Sequence, residues 1–553
     1  MTTWFETVRD LTIQLVRWPS VTNSPGERDW SQQLYDLLAQ TAYFAGHPEH
    51  LRLQRTSADR YERSNLYACV RGAGPATVVL AGHYDVVSIE NYGNLAPWAT
   101  EPLELLPRLI AELSANATSD SDQLALHDLQ SGDYLPGRGA LDMKSGLAAG
   151  LAVLLKFAAQ PERQGNLLFI ATPDEEDSSH GARSAALDLP GLAQEWGLDL
   201  RAAINLDASS DHGSGADGQA IFLGTVGKFL PSVYVVGRDT HAGYPFDGIN
   251  ANLLAAAITQ RIECNVALCD EVEGEIAPPP VSLKQADLKP QYDVTTPARA
   301  WCYFNYLTHG RPAAEVLACF TAEVGAALQT ALSAYDRQAQ SYAARSGPSV
   351  RPAWVTHVHT FAELHERALA QGGGACHAAL SDLTAQLMQD HTLDTPTFSR
   401  EIIELLWRYS GWSGPAAVVA FGSLHYPHSL VDPSRPQHAR LQAAAHRQAA
   451  ALAAERNTSL RVRPFFTGIS DMSFFGSAMA PADQAVVQAN TPLWGSRLQF
   501  DYAAVRALDL PIVNIGPWGR DYHQRSERIF MPYSFEVVPE LIWRVAQDVL
   551  DGG

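Results

Sequence analysis

Four acids follow a short apolar run in this chain. Leu167-Leu168-Phe169-Ile170 leads into Thr172-Pro173-Asp174-Glu175-Glu176-Asp177. The run has the length of a buried strand. If the chain stays extended beyond it, Glu175 and Glu176 point to opposite sides. One could then bind a cation while its neighbour moves a proton. Taken alone, a solvated acidic turn is the better reading.

Other groups with metal-binding chemistry recur just past apolar runs. Ala76–Ala81 runs into Gly82-His83-Tyr84-Asp85-Val86-Val87, where Asp85 is spaced to accept the imidazole's second N–H. Ala202-Ala203-Ile204-Asn205-Leu206 ends in Asp207. Pro511–Ile515 precedes His523, which sits in Asp521-Tyr522-His523-Gln524-Arg525-Ser526-Glu527. Gly137-Arg138-Gly139-Ala140-Leu141-Asp142-Met143-Lys144 is a tight loop before a helix, and Asp142 there is either a helix cap or a metal bridge. Together His83, Asp142, Glu175, Glu176, Asp207 and His523 supply two histidines and three acids to hold two divalent ions with one carboxylate shared, and leave one carboxylate over. Such a donor set suits zinc, with cobalt or manganese as alternatives, rather than calcium. Two ions about 3.5–4 Å apart can share a water and lower its pKa. A free carboxylate is then needed to take the water's proton.

The elements that must position these groups alternate between strand and helix, which predicts a largely parallel α/β sheet. Ligands bind such sheets at the strands' carboxyl ends. Two amphipathic helices come first, with Trp4, Val8, Leu11 and Leu15 on one face and Trp30, Leu34, Leu37 and Leu38 on the other's. Residues 90–135 read as irregular. From about residue 222 the pattern changes to strands near 229–236, 298–306 and 416–421, with helices near 250–262 and 313–332. This order suggests a ferredoxin-like α+β unit with three of its four strands placed. Extra helices are expected at 363–369 and 380–388, around Gly372–Gly374. The α/β pattern then resumes with a helix to about Glu455, a strand at 460–465 and a closing helix at 537–550. The expected division is 1–221 and 431–553 for one catalytic domain, with 222–430 inserted in it.

Composition narrows the function. A chain of 553 residues exceeds one ordinary core. With 46% hydrophobic and 18% charged residues it is globular rather than disordered. A net charge of −20 without any Lys/Arg run argues against a nucleic-acid partner. Six scattered cysteines without a CxxC pair point to reduced thiols and against a cysteine zinc site. Thr3-Trp4-Phe5-Glu6 reads as a capping box rather than the start of a signal peptide. No uninterrupted apolar run spans a bilayer, so a cytoplasmic protein without membrane partners is the expectation.

These segments resemble the aminoacylase/carboxypeptidase family of co-catalytic zinc hydrolases, which includes acetylornithine deacetylase and succinyl-diaminopimelate desuccinylase. The resemblance lies in Gly82–Val87, Gly137–Lys144, Asp174-Glu175-Glu176 and the His523 segment with Glu527, in the family's order. It implies a zinc-peptidase-like catalytic domain with an inserted lid or dimerisation domain. It further implies that His83 and Asp207 bind one metal, that Glu176 and His523 bind the other, and that Asp142 bridges them. Glu175 would be the general acid/base, and Asp85 would orient His83. Thr240-His241-Ala242-Gly243-Tyr244-Pro245 and Gly248-Ile249-Asn250-Ala251 resemble the lid segment, in which His241 and Asn250 help stabilise the oxyanion.

The chain differs from the family pattern in Asp177-Ser178-Ser179-His180 after Glu176. It also has extra lid helices and lacks the basic lid residue that grips a substrate carboxylate. The long lid and Thr467-Gly468-Ile469-Ser470-Asp471 look most like the arginine-utilisation (RocB-like) subgroup, with Gly468 and Asp471 as substrate contacts or structural residues. The implied activity is hydrolysis of a peptide or N-acyl bond in a small substrate, by a homodimer joined through the lid. The alternatives are an aminopeptidase-like exopeptidase of the same clan or a non-catalytic binding descendant.

Overall fold

The computed structural model describes residues 3–210, 218–347, 353–390, 392–466, 468–476 and 479–551. The chain forms two compact units. The first comprises Met1–Thr225, Ser429–Ala478 and Ala503–Gly553, and the second Val226–His428 with Met479–Tyr502. The second unit thus takes a short piece from the carboxyl-terminal stretch. Its helix, Pro481–Asn490, packs on the long helix Ala313–Ser346.

The first unit is built on an eight-stranded sheet. In chain order its strands are β1 (Leu51–Arg55), β2 (Ser64–Arg71), β3 (Ala73–His83), β4 (Gln164–Thr172), β5 (Asp199–Asn205), β6 (Ala220–Phe222), β7 (Arg461–Arg463) and β8 (Ile512–Asn514). Their spatial order is β1-β2-β4-β3-β5-β8-β6-β7. The four middle strands β4, β3, β5 and β8 are parallel neighbours, and β1 and β2 form an antiparallel edge. Parallel strands need cover on both faces, so they read as unbroken apolar runs. Val78–Ala81 and Leu167–Ala171 are buried throughout. Helices Trp4–Arg17, Ser145–Ala159 and Val538–Asp551 pack together over this sheet. The helix beginning at Ser145 is buried at every position to Leu154, as its nearly continuous apolar sequence requires.

The stretch 90–135 is more regular than its sequence suggests. It contains helices Pro102–Asn116 and Asp120–Ser131. The first buries Leu105, Leu109 and Leu113 along one stripe. The second is capped by Ser119, whose side chain accepts from the Asp122 N–H. Two prolines, Pro102 and Pro107, and a polar run obscure this pair. Pro102 lies at the helix start, where its missing N–H costs nothing.

In the second unit, strand Pro231–Val236 lies between Arg299–Thr308 and Ala416–Phe421, antiparallel to both. Val281–Asp287 pairs on the far side of Arg299–Thr308. With helices Ala251–Ile262 and Ala313–Ser346, this is the βαββαβ order and sheet arrangement of a ferredoxin-like unit. The strand without an expected position is Val281–Asp287. His357–Thr360 adds a parallel edge strand. The extra helix Phe361–Gln389 breaks at Gly373, whose φ of 53° suits glycine. Helix Ala313–Ser346 is long and apolar enough to cross a membrane by length and composition. Here Val316, Phe320, Val324, Leu328 and Tyr335 form a buried stripe at helical spacing within the unit.

Candidate metal centre

The sheet's topology gathers the polar groups. β3 ends at His83, β4 at Thr172, β5 at Asn205 and β8 at Asn514. Because these strands are parallel neighbours, their carboxyl ends deliver His83, the Glu175-Glu176 turn, Asp207 and the His523 segment to one side. Asp142 arrives from the loop before helix Ser145–Ala159 and does not cap that helix; Lys144 occupies the capping position.

His83 Nε2 lies 3.2 Å from Asp142 Oδ1 and 3.8 Å from Asp207 Oδ1. His523 Nε2 lies 3.3 Å from Asp142 Oδ2 and 3.1 Å from Glu176 Oε1. The result is two three-residue donor sets, His83/Asp142/Asp207 and Asp142/Glu176/His523, with one oxygen of Asp142 facing each histidine. Donors bound to a tetrahedral zinc at about 2.0–2.2 Å stand about 3.3–3.5 Å apart, close to the separations found here. His83 Nε2 is buried and has no hydrogen-bond partner among the described residues, although carboxylate oxygens approach it from three residues. That arrangement fits donors facing a common centre better than donors paired with each other. Glu175 belongs to neither set; its Oε2 is 3.9 Å from His83 Nε2.

The two glutamates do not lie on an extended chain. Asp174 has a φ of 71°, and its carbonyl accepts N–H bonds from Ser178 at 3.1 Å and Ser179 at 2.5 Å. The backbone turns sharply after Pro173, so the side chains separate by turn geometry rather than by strand alternation. Asp174 is itself fixed by a buried ion network. Arg63, 1% exposed, donates to Asp174 Oδ1 at 2.5 Å and also reaches Glu27 and Asp59. His180 bonds the other Asp174 oxygen at 2.7 Å.

Asp85 has a wider role than its spacing suggests. Its main-chain oxygen lies 3.1 Å from His83 Nδ1, and its carboxylate lies 3.4 Å away. The carboxylate accepts from the N–H groups of Glu175 and Glu176 at 3.0 and 3.2 Å, and from Thr22. One buried acid therefore ties the histidine's strand to the glutamate turn.

Glu527 does the same for Asp142. It accepts from the N–H groups of Gly139, Leu141 and Asp142 at 2.9, 3.2 and 3.4 Å, and pairs with Arg138 at 2.5 Å. Asp207 is held between close backbone approaches. A Cβ on Gly516 would meet the Asp207 carbonyl at 1.8 Å, and one on Gly146 would meet the Leu206 carbonyl at 2.0 Å.

The electrostatics follow from crowding acids out of water. Burial pushes the carboxyls of Glu175, Glu176 and Asp207 upward, Glu175 well above the usual range. Burial also acts to raise Asp142, but the adjacent imidazoles of His523 and His83 hold it low. Desolvation disfavours charge on both imidazoles. Even so, Asp142 and Asp207 raise His83 well above its usual value, and Asp142 and Glu176 raise His523 to about 10.

Of the two residues expected in a lid, His241 is exposed, and its Nδ1 accepts from the Gly243 N–H at 3.0 Å. Asn250 caps helix Ala251–Ile262 through its side-chain oxygen. Both belong to the second unit. Thr467 lies outside the described residues. Asp471 is buried beneath the glutamate turn. Its Oδ2 accepts from Thr172 at 3.1 Å, its Oδ1 has no hydrogen bond among the described residues, and burial lifts it to about 7. The positioning work of Arg63 and Glu527 leaves little trace in sequence: Arg63 is one basic residue before a strand, and Glu527 shows only its place four residues after His523. A cavity of about 530 Å³, lined by Asp120, Leu124, Ser210, Arg520, Tyr522 and Gln524, reaches the residue preceding His523. That volume suits a small ligand.

Residues 118–492 match the model of peptidase family M20/M25/M40, a span that includes Asp142, Glu175, Glu176 and Asp207. The chain is 33% identical to the uncharacterized protein YqjN of Bacillus subtilis over 535 residues, covering 96% of this chain and 94% of that protein. It is 30% identical to protein RocB of the same organism over 552 residues, covering 99% and 95%. Identity to the succinyl-diaminopimelate desuccinylase of Methylorubrum populi is 28% over 370 residues, covering 65% and 81%. Among solved structures, a tripeptidase from Staphylococcus aureus shares the fold with a TM-score of 0.53 at 14% identity, covering 99% of each chain.

Proposed function

Because this chain belongs to the M20/M25/M40 family of metal-dependent hydrolases, we propose that it cleaves a peptide or N-acyl amide bond in a small substrate at a dinuclear centre. The observation that carries the reading is the pair of donor sets sharing Asp142, with Glu175 left over. His83 and Asp207 would hold one ion and Glu176 and His523 the other, with Asp142 shared between them. The mixed imidazole and carboxylate donors favour zinc, with cobalt or manganese as substitutes. When bound, the ions polarise the scissile carbonyl and acidify the attacking water.

The chain's own residues do the rest. Glu175 takes the proton from the attacking water and delivers it to the leaving amine. A carboxyl whose pKa burial has raised is suited to both acts. Asp85 keeps the Glu175 backbone and the His83 ring in register. His241 and the amide N–H₂ of Asn250 donate to the developing oxyanion.

The desuccinylase relatives support an N-acyl substrate, and the likeness to RocB supports a part in amino-acid breakdown, arginine utilisation in particular. Dimerisation through the second unit is supported by its edge strand Val281–Asp287. Val281 and Leu283 are exposed there, as is Leu253 on the adjoining helix, and an apolar edge invites pairing with a second copy.

Glu175→Gln tests the central assignment. Turnover of N-acyl amino acids should fall by about 10²–10⁴-fold, while the metal content stays at two ions per chain. Unchanged hydrolysis would sink the role given to Glu175.

A further inference from the structure

A second group of metal-type donors lies elsewhere in the first unit. His47-Pro48-Glu49-His50 joins the short helix Ala42–Gly46 to β1. His47 Nδ1 is 3.5 Å from Glu49 Oε1, and His50 Nε2 is 3.7 Å from the same oxygen. All three donor atoms lie within 4.8 Å of one another. The two closer separations approach the donor spacing of a tetrahedral zinc, about 3.3–3.5 Å.

The ring of His50 is held from behind. Its Nδ1 is 3.1 Å from the Tyr43 hydroxyl, which also accepts from the Arg71 N–H at 2.8 Å. This is the kind of outer support that ligating histidines use. The two imidazoles stack with centroids 5.4 Å apart, and Trp196 meets His50 edge-on at 6.5 Å. His50 is 13% exposed and Glu49 62%, so the group has one supported wall and one face open to solvent.

The register of the sheet separates this group from the centre described above. Arg71 pairs with Asn166 near the start of β4, whereas the glutamate turn follows Thr172 at its end. Six strand residues make that about 20 Å.

We propose that His47, Glu49 and His50 form a separate site for a borderline transition-metal cation, zinc above all, with solvent completing the coordination. Two imidazoles and one carboxylate select such ions over calcium and magnesium. The bound ion would tie the turn before β1 to the sheet edge through Tyr43.

The test uses full-length protein stripped with chelator and titrated with Zn²⁺ by calorimetry, with metal counted after dialysis. The wild type should bind one more equivalent at micromolar zinc than His47→Ala/His50→Ala. Glu49→Gln, which leaves both rings in place, should weaken that same equivalent at least tenfold. The zinc-induced rise in melting temperature should shrink in both variants. Only the difference between proteins is read, so the number of ions at the other centre does not enter. Equal stoichiometry in wild type and double variant would overturn the proposal, as would an extra equivalent that appears only at millimolar zinc.

Discussion

Glu527→Gln is the sharpest probe of how the site is held. Glutamine keeps the shape, and its amide oxygen can still accept from Gly139, Leu141 and Asp142. The other carboxylate oxygen, however, faces Arg138 at 2.5 Å, and both residues are 1% exposed. In the variant an N–H₂ group would meet a guanidinium, and a buried cation would lose its counter-charge. Removing one partner of a buried pair costs about 3–5 kcal/mol. Arg138 retains Ser88 O, Asn91 Oδ1 and His523 O at 3.0–3.3 Å, which places the expected loss near the lower end, about 3 kcal/mol. Urea unfolding of the metal-stripped protein measures it. Zinc affinity should fall separately by about 10–100-fold, because the loop carrying Asp142 loses its anchor. Adding Arg138→Met should recover part of the stability, since the stranded charge is then gone. A loss below about 0.5 kcal/mol in the single variant, or no recovery in the double, would refute this account of Glu527.

Three further outcomes follow from the same physics. Burial acts to raise Asp59, but its hydrogen bonds with Arg63 hold it down to about 2. A depressed carboxyl stabilises the fold above its unfolded pKa and loses that contribution as pH falls through the folded value. The gap in stability between wild type and Asp59→Asn, about 2 kcal/mol near neutrality, should therefore close between roughly pH 4 and pH 2 in denaturant titrations; a pH-independent gap contradicts it. His241→Ala should lower kcat by about 10²–10³-fold with metal content intact, and wild-type kinetics would remove His241 from the oxyanion site. Leu283→Lys should convert a dimer to monomer in light scattering, and a wild type that is already monomeric at working concentration rejects the edge-strand interface.

Most groups of the candidate centre were legible because they follow apolar runs that read as buried strands; Asp142, in a glycine loop before a helix, is the exception. Val78–Ala81 announces His83, Leu167–Ile170 the glutamates, and Ala202–Leu206 Asp207. What supports them was not legible. Asp85 was expected to serve the imidazole alone, yet its carboxylate also binds two backbone N–H groups from a turn 90 residues away, and long-range backbone contacts have no sequence period. The extended reading of Glu175-Glu176 gave way to a turn because Asp174 adopts a left-handed conformation that nothing in its type demands. Helix Pro102–Asn116 hid behind its prolines. Strand Val281–Asp287 carries only a weak alternation, since an edge strand packs on one side and leaves Val281 and Leu283 exposed.

The position of β8 has a consequence for how the molecule comes into being. That strand, Ile512–Asn514, sits between β5 and β6, which are close in sequence and made roughly 300 residues earlier. His523 and Glu527 follow it. A growing chain leaving the ribosome can therefore present His83, Glu176 and Asp207, but it cannot fill the gap in the sheet or anchor the Asp142 loop. The candidate metal centre stays incomplete until the segment carrying His523 and Glu527 has been synthesised.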